Sequence, residues 1–197
     1  MIMFDVTRIR AVLGIALALT LSAANADEFT LPTLMQMLAQ NKDGKATFVE
    51  KKYIETLNRP VVSSGELAFT SPDKLEKRTL KPRPESLTLE GDKLTIEQPE
   101  KRHLTVSLLE HPEVSAFVES IRSTLAGDMS TLEAFYQVEL TGSDEKWQLV
   151  LTPKQTRMSE IISRIQIGGS HADVKTINFY QRDGDHSEMV ITQVANP

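Results

Sequence analysis

The side chains that could carry acid–base, nucleophilic or metal chemistry are few in this chain and widely separated. The sequence has four histidines, His103, His111, His171 and His186, and no cysteine. Imidazoles that share a metal often lie at short spacings such as HxH or HxxxH, and these four do not. The sequence therefore predicts no metal site and no cofactor.

Two short segments come closest to a reactive site. Asp183, Asp185 and His186 lie around a glycine turn, where aspartate is common because its side chain bonds nearby backbone. Residues 168–171, Gly-Gly-Ser-His, put a serine beside a histidine but lack the GxSxG elbow of a hydrolase. The favoured interpretations are a hairpin turn and a glycine break between strands. A hydrolase or acyltransferase that uses Ser170 and His171, or the 183–186 turn, is the alternative.

A basic segment at residues 77–84 stands out in a chain of formal net charge −5. Its cations could contact anionic head groups or an acidic partner surface. The alternative is a solvated strand edge, where lysine and proline oppose sheet-to-sheet aggregation. The acidic balance argues against a nucleic-acid partner. The candidate head-group or partner contacts are Lys77, Arg78, Lys81 and Arg83.

The first 26 residues are typical of an export signal. Arg8 and Arg10 precede an apolar run at residues 11–21. This run is too short to cross a bilayer as a helix, which takes about 20 residues. Ala-Asn-Ala at residues 24–26 predicts cleavage after Ala26, with residues 27–197 forming one domain. Because the chain has no cysteine to acylate or to form disulfides, hydrophobic burial must hold this exported, soluble domain together. A membrane anchor is the alternative.

The elements that would position these residues form a mainly antiparallel sheet. In residues 64–96 two strands meet at Pro72, and a later hairpin turns at residues 91–92. Period-two patterns continue to residue 191, so nine to eleven short strands are predicted. Alternation puts one set of apolar side chains on one face of the sheet. These are Leu67, Phe69, Leu87, Leu89, Leu94, Ile96, Trp147, Leu149 and Leu151, with Leu75 restarting the pattern after the proline.

Three helices are predicted, too few and too short to cover both faces of such a sheet. Residues 31–38 have an amphipathic stripe, with Gly44 as a stop. Residues 111–127 form the clearest helix, and Ser130 and Glu133 fit a capping box for a short third one. The helices should therefore lie on one face, either filling it as a core or covering a ligand cavity. Periodicity alone favours the core.

The order of these elements resembles the LolA family of periplasmic lipoprotein carriers. The matching segments are ATFVEKKYIETLNRPVVSSGELAFTSPDKL, LTLEGDKLTI and WQLVLTPK, in the family's order and across essentially the whole chain after the signal. Within that family, the sequence most resembles the divergent branch associated with acyltransferase and aryl polyene systems. The resemblance implies an α+β, mainly β fold, an incomplete antiparallel β-barrel with a short helical lid.

The resemblance also implies a function without enzymatic chemistry. A periplasmic carrier or chaperone would bind acyl chains of a lipoprotein or other lipid and shuttle it toward the outer membrane. Its partners would be acylated cargo, an inner-membrane donor, an outer-membrane acceptor and, transiently, the membrane surface; the chain would be a monomer. An envelope-sensing module of the same fold that binds a protein is the alternative. The implied cavity is lined by Leu67, Phe69, Leu75, Leu87, Leu89, Leu94, Ile96, Trp147, Leu149 and Leu151, with Phe117 and Ile121 from the lid.

The sequence departs from the family at the positions that control the lid. Characterised carriers have an arginine before the proline of the second strand, bonded to the closed lid, where this chain has Ser71. Lys77, Leu94 and Ile96 replace family aromatic residues. A hydroxyl cannot replace a five-donor guanidinium. Another acyl-bearing molecule is therefore favoured over a lipoprotein as the cargo.

Overall fold

The computed structural model describes residues 29–99 and 103–194, so the predicted signal peptide lies outside the described residues. Within those ranges the chain forms one eleven-stranded sheet and a few helices. The helices are α1 Leu31–Leu38, α2 Pro112–Ala126, α3 Met129–Phe135 and α4 Thr156–Ser159, with a 3-10 turn at Leu108–Glu110. The strands are β1 Asp43–Tyr53, β2 Val61–Thr70, β3 Lys74–Lys81, β4 Glu85–Glu90, β5 Lys93–Glu97, β6 Leu104–Ser107, β7 Tyr136–Ser143, β8 Lys146–Pro153, β9 Ile162–Ser170, β10 Asp173–Gln181 and β11 His186–Gln193.

Two antiparallel meanders make up the sheet and join at their centre. The strand order is β6-β5-β4-β3-β2-β1-β11-β10-β9-β8-β7, and the join is the antiparallel pairing of β1 with β11. Strands β6 and β7 form the two edges, and α2 and α3 connect them along the chain. The predicted mainly β, open antiparallel architecture is confirmed. None of the described helices has the length and apolarity needed to cross a bilayer.

Helix α1 forms where its apolar stripe predicts it. Thr30 caps the helix by accepting a hydrogen bond from the backbone N–H of Thr33 at 3.4 Å, and Pro32 occupies the first turn, where no intrahelical donor is lost. The buried residues are Leu34, Met35 and Leu38. Gly44 is not the stop, because it lies inside β1.

Helix α2 ends against α1 at a glycine that nothing larger could replace. Gly127 has φ +67°, and a Cβ there would lie 2.2 Å from the carbonyl oxygen of Met35. The predicted capping box at Ser130 and Glu133 is wrong. Helix α3 begins earlier, and the Asp128 carboxylate caps it by accepting a hydrogen bond from the Thr131 backbone N–H at 3.0 Å.

A close-packed core covers one half of the sheet's inner face, meaning the face on which the helices lie. Helices α1 and α3 pack there against strands β7 to β9, and Trp147, Leu149 and Leu151 are at most 2% exposed. The other fully buried members include Leu34, Leu38, Leu132, Tyr136, Met158, Ile165 and Ile167. Burial raises the pKa of the Tyr136 phenol far above its ordinary value. This half of the structure has the dense packing of an ordinary protein interior.

The glycine pair at residues 168–169 has a packing role in this core. The predicted break is wrong, since β9 runs through both glycines to Ser170. A Cβ on Gly169 would lie 2.2 Å from Cζ2 of Trp147, so only glycine leaves room for the indole. The indole Nε1 in turn donates a hydrogen bond to the carbonyl oxygen of His171 at 2.8 Å.

We expect Asp128→Ala to lower the free energy of unfolding by about 1 kcal/mol near neutral pH, because α3 loses its cap. Asp128→Asn, which keeps a capping oxygen, should cost less. Hydrogen bonds from Thr131 lower the pKa of the Asp128 carboxyl. The carboxylate's contribution is therefore complete above the unfolded-state pKa and lost as pH falls through the folded-state pKa. Urea unfolding of the natural chain and of Asp128→Ala, measured from neutral pH down through the folded-state pKa of Asp128, gives the cost of the substitution at each pH. A cost that does not change with pH would contradict the assignment of the Asp128 carboxylate as the cap.

Candidate functional site

The other half of the inner face is not filled by side chains. A cavity of about 610 Å³ lies there between the sheet and α2, within the range of about 300–1,000 Å³ that is typical of ligand pockets. Its wall is predominantly apolar and comes from three parts of the chain. These are Ala46, Leu67, Phe69, Leu75, Leu87, Leu89 and Leu94 from the first meander, Ile177, Phe179, Met189 and Ile191 from the second, and Phe117, Val118, Ile121 and Leu125 from α2.

The register of β2 to β5 explains why these side chains share a wall. Directly opposed residues on antiparallel strands project to the same face. One row across the strands is Phe69, Leu75, Leu89 and Leu94. The next row is Leu67, Lys77, Leu87 and Ile96. A largely aliphatic surface therefore crosses four strands, with one lysine set into its second row.

The structure divides the sequence-predicted cavity residues into two groups. Those that line the cavity are Leu67, Phe69, Leu75, Leu87, Leu89, Leu94, Phe117 and Ile121. Ile96 shares the face of Leu87 but lies half-buried outside the lining. Trp147, Leu149 and Leu151 require a correction, since they lie in the solid core under α1 and α3. Alternation identifies the face of a strand, but the helix above it decides whether that face is filled or hollow.

Several lining residues were not predicted as part of the cavity. Ile177 and Phe179 on β10, and Met189 and Ile191 on β11, belong to predicted strands, but only the pairing of β11 with β1 brings them beside Leu67. That pairing joins residues far apart in sequence. No local pattern in the chain specifies it, although the period-two spacing of these residues marks their inward face.

The side chain of Lys77 points into the cavity and not toward the solvent outside the sheet. Its Nζ lies 2.6 Å from Oε2 of Glu50 and 4.9 Å from the centroid of the Phe48 ring. Both Lys77 and Glu50 line the cavity. The wall therefore contains an ion pair that is also stabilised by a cation–π contact.

The remaining cations of the basic segment lie elsewhere. Arg78 is on the opposite face of β3, with Nη1 3.9 Å from Oε2 of Glu66. Lys81 and Arg83 are exposed at the end of β3 and in the turn that follows. The four predicted head-group contacts therefore do not form a single patch.

Two contacts among the described side chains attach helix α2 to the sheet across the cavity. The ring of Phe117 meets that of Phe179 edge-on, with centroids 4.8 Å apart. One turn further along the helix, Nη1 of Arg122 donates a hydrogen bond to the carbonyl oxygen of Gly91 at 2.7 Å. Glu119 pairs with the same guanidinium, and both side chains are less than one-fifth exposed. One aromatic and one polar contact therefore help to hold the helix over the cavity.

Arg122 lies near the position at which the family resemblance leads one to expect an arginine. Ser71 and Arg122 line the same cleft between α2 and the β2–β3 turn. The backbone N–H of Ser71 donates to the carbonyl oxygen of Lys42 at 2.7 Å. In this chain the guanidinium of Arg122 connects α2 to the β4–β5 turn through the carbonyl oxygen of Gly91.

The turn at residues 183–186 has a structural explanation. His186 stacks on Tyr53 with ring centroids 4.4 Å apart, and Tyr180 stacks beside it at 5.8 Å. Oδ1 of Asp185 accepts a hydrogen bond from the backbone N–H of Glu55 at 2.9 Å. The predicted hairpin turn is confirmed, and these side chains are used in holding it to β1.

The serine–histidine pair at residues 170–171 is not arranged for nucleophilic catalysis. Nδ1 of His171 lies 2.8 Å from Oδ2 of Asp144 on an exposed surface. Ser170 makes no side-chain hydrogen bond to that imidazole within the described residues, so no triad is formed. Across residues 29–99 and 103–194, no group of three or more acidic, histidine or cysteine side chains could hold a metal ion.

Comparison with known proteins decides the family. A family model described as outer membrane lipoprotein carrier protein LolA-like matches residues 23–197, which include every described element. The chain belongs to this LolA-like family.

Individual LolA-like relatives are distant in sequence. An outer-membrane lipoprotein carrier protein of Dechloromonas aromatica is 24% identical over 162 residues, which cover 82% of this chain and 74% of that protein. A solved LolA superfamily protein from Nitrosomonas europaea has a TM-score of 0.43 at 10% identity, covering 85% of this chain and 95% of its own. The Pseudomonas aeruginosa MucA/MucB complex gives 0.45 at 12% identity, covering 85% of this chain and 58% of that one.

The two halves of the inner face should respond differently to truncation of a leucine. Leu149→Ala removes a side chain that is fully buried in the core and should cost about 2–5 kcal/mol of unfolding free energy. Leu87→Ala removes a half-buried side chain that borders the cavity, and we expect a loss of about 1 kcal/mol or less. Urea unfolding of both variants measures the contrast. Equal losses would mean that the wall at Leu87 is as closely packed as the core.

Arg122→Met should loosen α2 from the sheet, because it removes the bond to Gly91 and leaves Glu119 without its partner. We expect amide hydrogen exchange in α2 to accelerate about tenfold. Arg78→Met is the matched control, since Arg78 lies on the outer face. Unchanged exchange in α2 of the Arg122 variant would show that the guanidinium does not hold the helix down.

Proposed function

We propose that this protein is a periplasmic carrier that shields acyl chains in the cavity beneath α2 and moves them toward the outer membrane. The observation that carries the proposal is the cavity itself, a space of about 610 Å³ lined by aliphatic and aromatic side chains from seven strands and one helix of a LolA-like chain. Protein interiors are normally close-packed. An unfilled space with such walls fits an apolar occupant that enters and leaves.

Acyl chains fit this wall because it is apolar and because it can accept chains of different length and saturation. Each methylene moved from water to the cavity contributes about 0.8 kcal/mol. The contacts are non-directional, so the length and saturation of the chain matter little. Binding of this kind requires no covalent step.

The cargo that we propose is an acyl-bearing molecule such as a glycolipid or an aryl-polyene-type lipid, in preference to a lipoprotein. Ser71 occupies the position at which characterised carriers have an arginine, and the bridging guanidinium here is Arg122 on the helix. The lid is therefore held differently from that of a standard lipoprotein carrier. A donor at the inner membrane and an acceptor at the outer membrane complete the proposed route.

The proposal includes the processing and location of the chain. Residues 1–26 would direct export and be removed after Ala26, leaving residues 27–197 as one monomeric domain in the periplasm. The exposed cations Lys81 and Arg83 provide a surface for transient contact with anionic head groups during loading or release.

Native mass spectrometry with lipid extraction, on protein purified from periplasm without detergent, tests the carrier function. We expect a bound species of lipid mass in the natural chain. Leu87→Arg puts a charge in the wall, and Val118→Trp fills the space with an indole from the lid; both should lose the bound species. Val190→Arg is the matched control, since Val190 is 57% exposed on the outer face of β11.

The contrary result would be an apo mass for the natural chain together with no uptake of an apolar fluorescent dye. Specific capture of one envelope protein by such a lipid-free chain would support the alternative, a sensing or interaction module of the same fold. Loss of lipid from the Val190 control as well would show that the lipid was bound nonspecifically to the surface.

A further inference from the structure

A charged pair lies in the wall of the otherwise largely apolar cavity. Glu50 on β1 and Lys77 on β3 both line the space, and Nζ of Lys77 is 2.6 Å from Oε2 of Glu50. Their side chains are 19% and 26% exposed, respectively. Two ionised groups held away from water weaken a fold unless their hydrogen-bonding capacity is used.

The ion pair lies where an acyl ligand in the cavity would contact it. Lys77 is opposed by Leu67 on one side and Leu87 on the other. Glu50 is opposed by Met189 on β11. All three of these apolar neighbours line the cavity. A molecule lying along the aliphatic rows must therefore place some of its atoms against the ion pair.

The ion pair has hydrogen-bonding capacity left over. Oε2 of Glu50 accepts from Lys77 and, at 3.4 Å, from the hydroxyl of Ser63, while Oε1 accepts no hydrogen bond from the described residues. An ammonium has three donors. One of those of Lys77 goes to Glu50, and the Phe48 ring lies on another side at 4.9 Å. The pair therefore offers the ligand both a donor and an acceptor.

The charge of the pair decides which polar group fits. An anion that approaches Lys77 also meets the carboxylate of Glu50, so attraction and repulsion nearly cancel while the anion loses its hydration. A neutral carbonyl beside a hydroxyl or N–H can accept from Lys77 and donate to Glu50 without that loss. Neutral groups are therefore favoured at this point of the wall.

The other charged residues at the cavity do not change this balance. Lys52, one step further along the inner face of β1, is exposed, so water solvates and screens its ammonium. Asp43 and Lys45 lie toward the opposite end of β1, about 17–23 Å from Glu50 at the usual rise per residue. Asp173 follows the β9–β10 turn and forms an ion pair with Lys175 at 2.9 Å. Glu76, next to Lys77 on β3, is opposed by Ala68 and Thr88 on the outer face and forms an ion pair with Lys74 at 2.7 Å.

We propose that Glu50 and Lys77 bind the polar junction of the ligand, and that this junction is a neutral ester or amide next to a hydroxyl or N–H. The inference rests on the proposed carrier function and adds a ligand class to it. The protein selects acyl esters or amides over free fatty acids, whose carboxylate the pair rejects.

Displacement of an apolar fluorescent dye by 1-monopalmitoylglycerol and by palmitate tests this selection. For the natural chain we expect the ester to bind about tenfold more tightly than the acid. Glu50→Gln keeps the shape of the side chain and leaves Lys77 as a net positive charge, so palmitate should gain about tenfold and the preference should disappear or reverse. Glu66→Gln is the matched control, because Glu66 faces Arg78 on the outer side of the same sheet.

Lys77→Met gives a second, independent readout. It removes the donor and leaves the carboxylate, so the ester should weaken about tenfold and palmitate should not gain. Circular dichroism and dye uptake establish that each variant is folded with its cavity intact.

The outcomes separate this inference from the carrier function. If the natural chain binds dye and both ligands without preference, or if Glu50→Gln leaves the preference unchanged, the junction site is overturned and the carrier function stands. If the natural chain takes up neither dye nor ligand, both are overturned. A preference that shifts in the Glu66 control as much as in the Glu50 variant would also overturn the site, since it would reflect overall charge.

Discussion

The structure depends on a mismatch between the apolar area of one sheet face and the helices available to cover it. An eleven-stranded open sheet presents a long inner face, and α1 and α3 fill only the part beside β7 to β9. Helix α2 spans the rest without filling it, which leaves the cavity. Close packing and open space are thereby assigned to different halves of one sheet, which we call the core half and the cavity half. The half that contains Trp147 and Leu149 is packed as densely as an ordinary protein interior. The half that contains Leu87 and Phe117 is less densely packed and encloses the cavity.

Polar groups in the cavity half lie at the helix that covers the cavity and in the cavity wall. Arg122 holds the lid through a carbonyl oxygen and a neighbouring carboxylate, interactions that water can replace, instead of through a large packed surface. Glu50 and Lys77 are embedded in the wall, where an ion pair contributes little net stability and aliphatic residues would serve the fold as well. Their presence there is consistent with ligand selection, since the purely structural half of the inner face contains no comparable ion pair among the described residues.

The sequence predicts more of this fold than of its site, for physical reasons visible in particular residues. Local alternation is enough to put Leu67, Phe69, Leu87 and Leu89 on one face, and a stripe with flanking Pro32 is enough to define α1. The same alternation holds for Trp147, Leu149 and Leu151, so it could not separate core from cavity; the overlying helix does that. The sequence predicts Lys77 as part of an exposed basic segment. Its side chain faces inward because β3 pairs with β2 in the register that puts Lys77 opposite Leu67, and local sequence does not specify that register. The cap is Asp128 and not the predicted Ser130, because α3 begins at Met129, directly after the turn at Gly127 and Asp128.

The pairing of β1 with β11 has a consequence for how the molecule is made. The cavity wall draws on β1 to β5 from the beginning of the fold and on β10 and β11 from its end, and these meet only along that seam. Contacts between such distant segments form late, because a long loop must close first. A chain whose β10 and β11 have not yet joined the sheet therefore lacks one wall of the cavity. The cavity is complete only when the last two strands are in place, and until then the aliphatic face of β2 to β5 lacks its neighbouring wall.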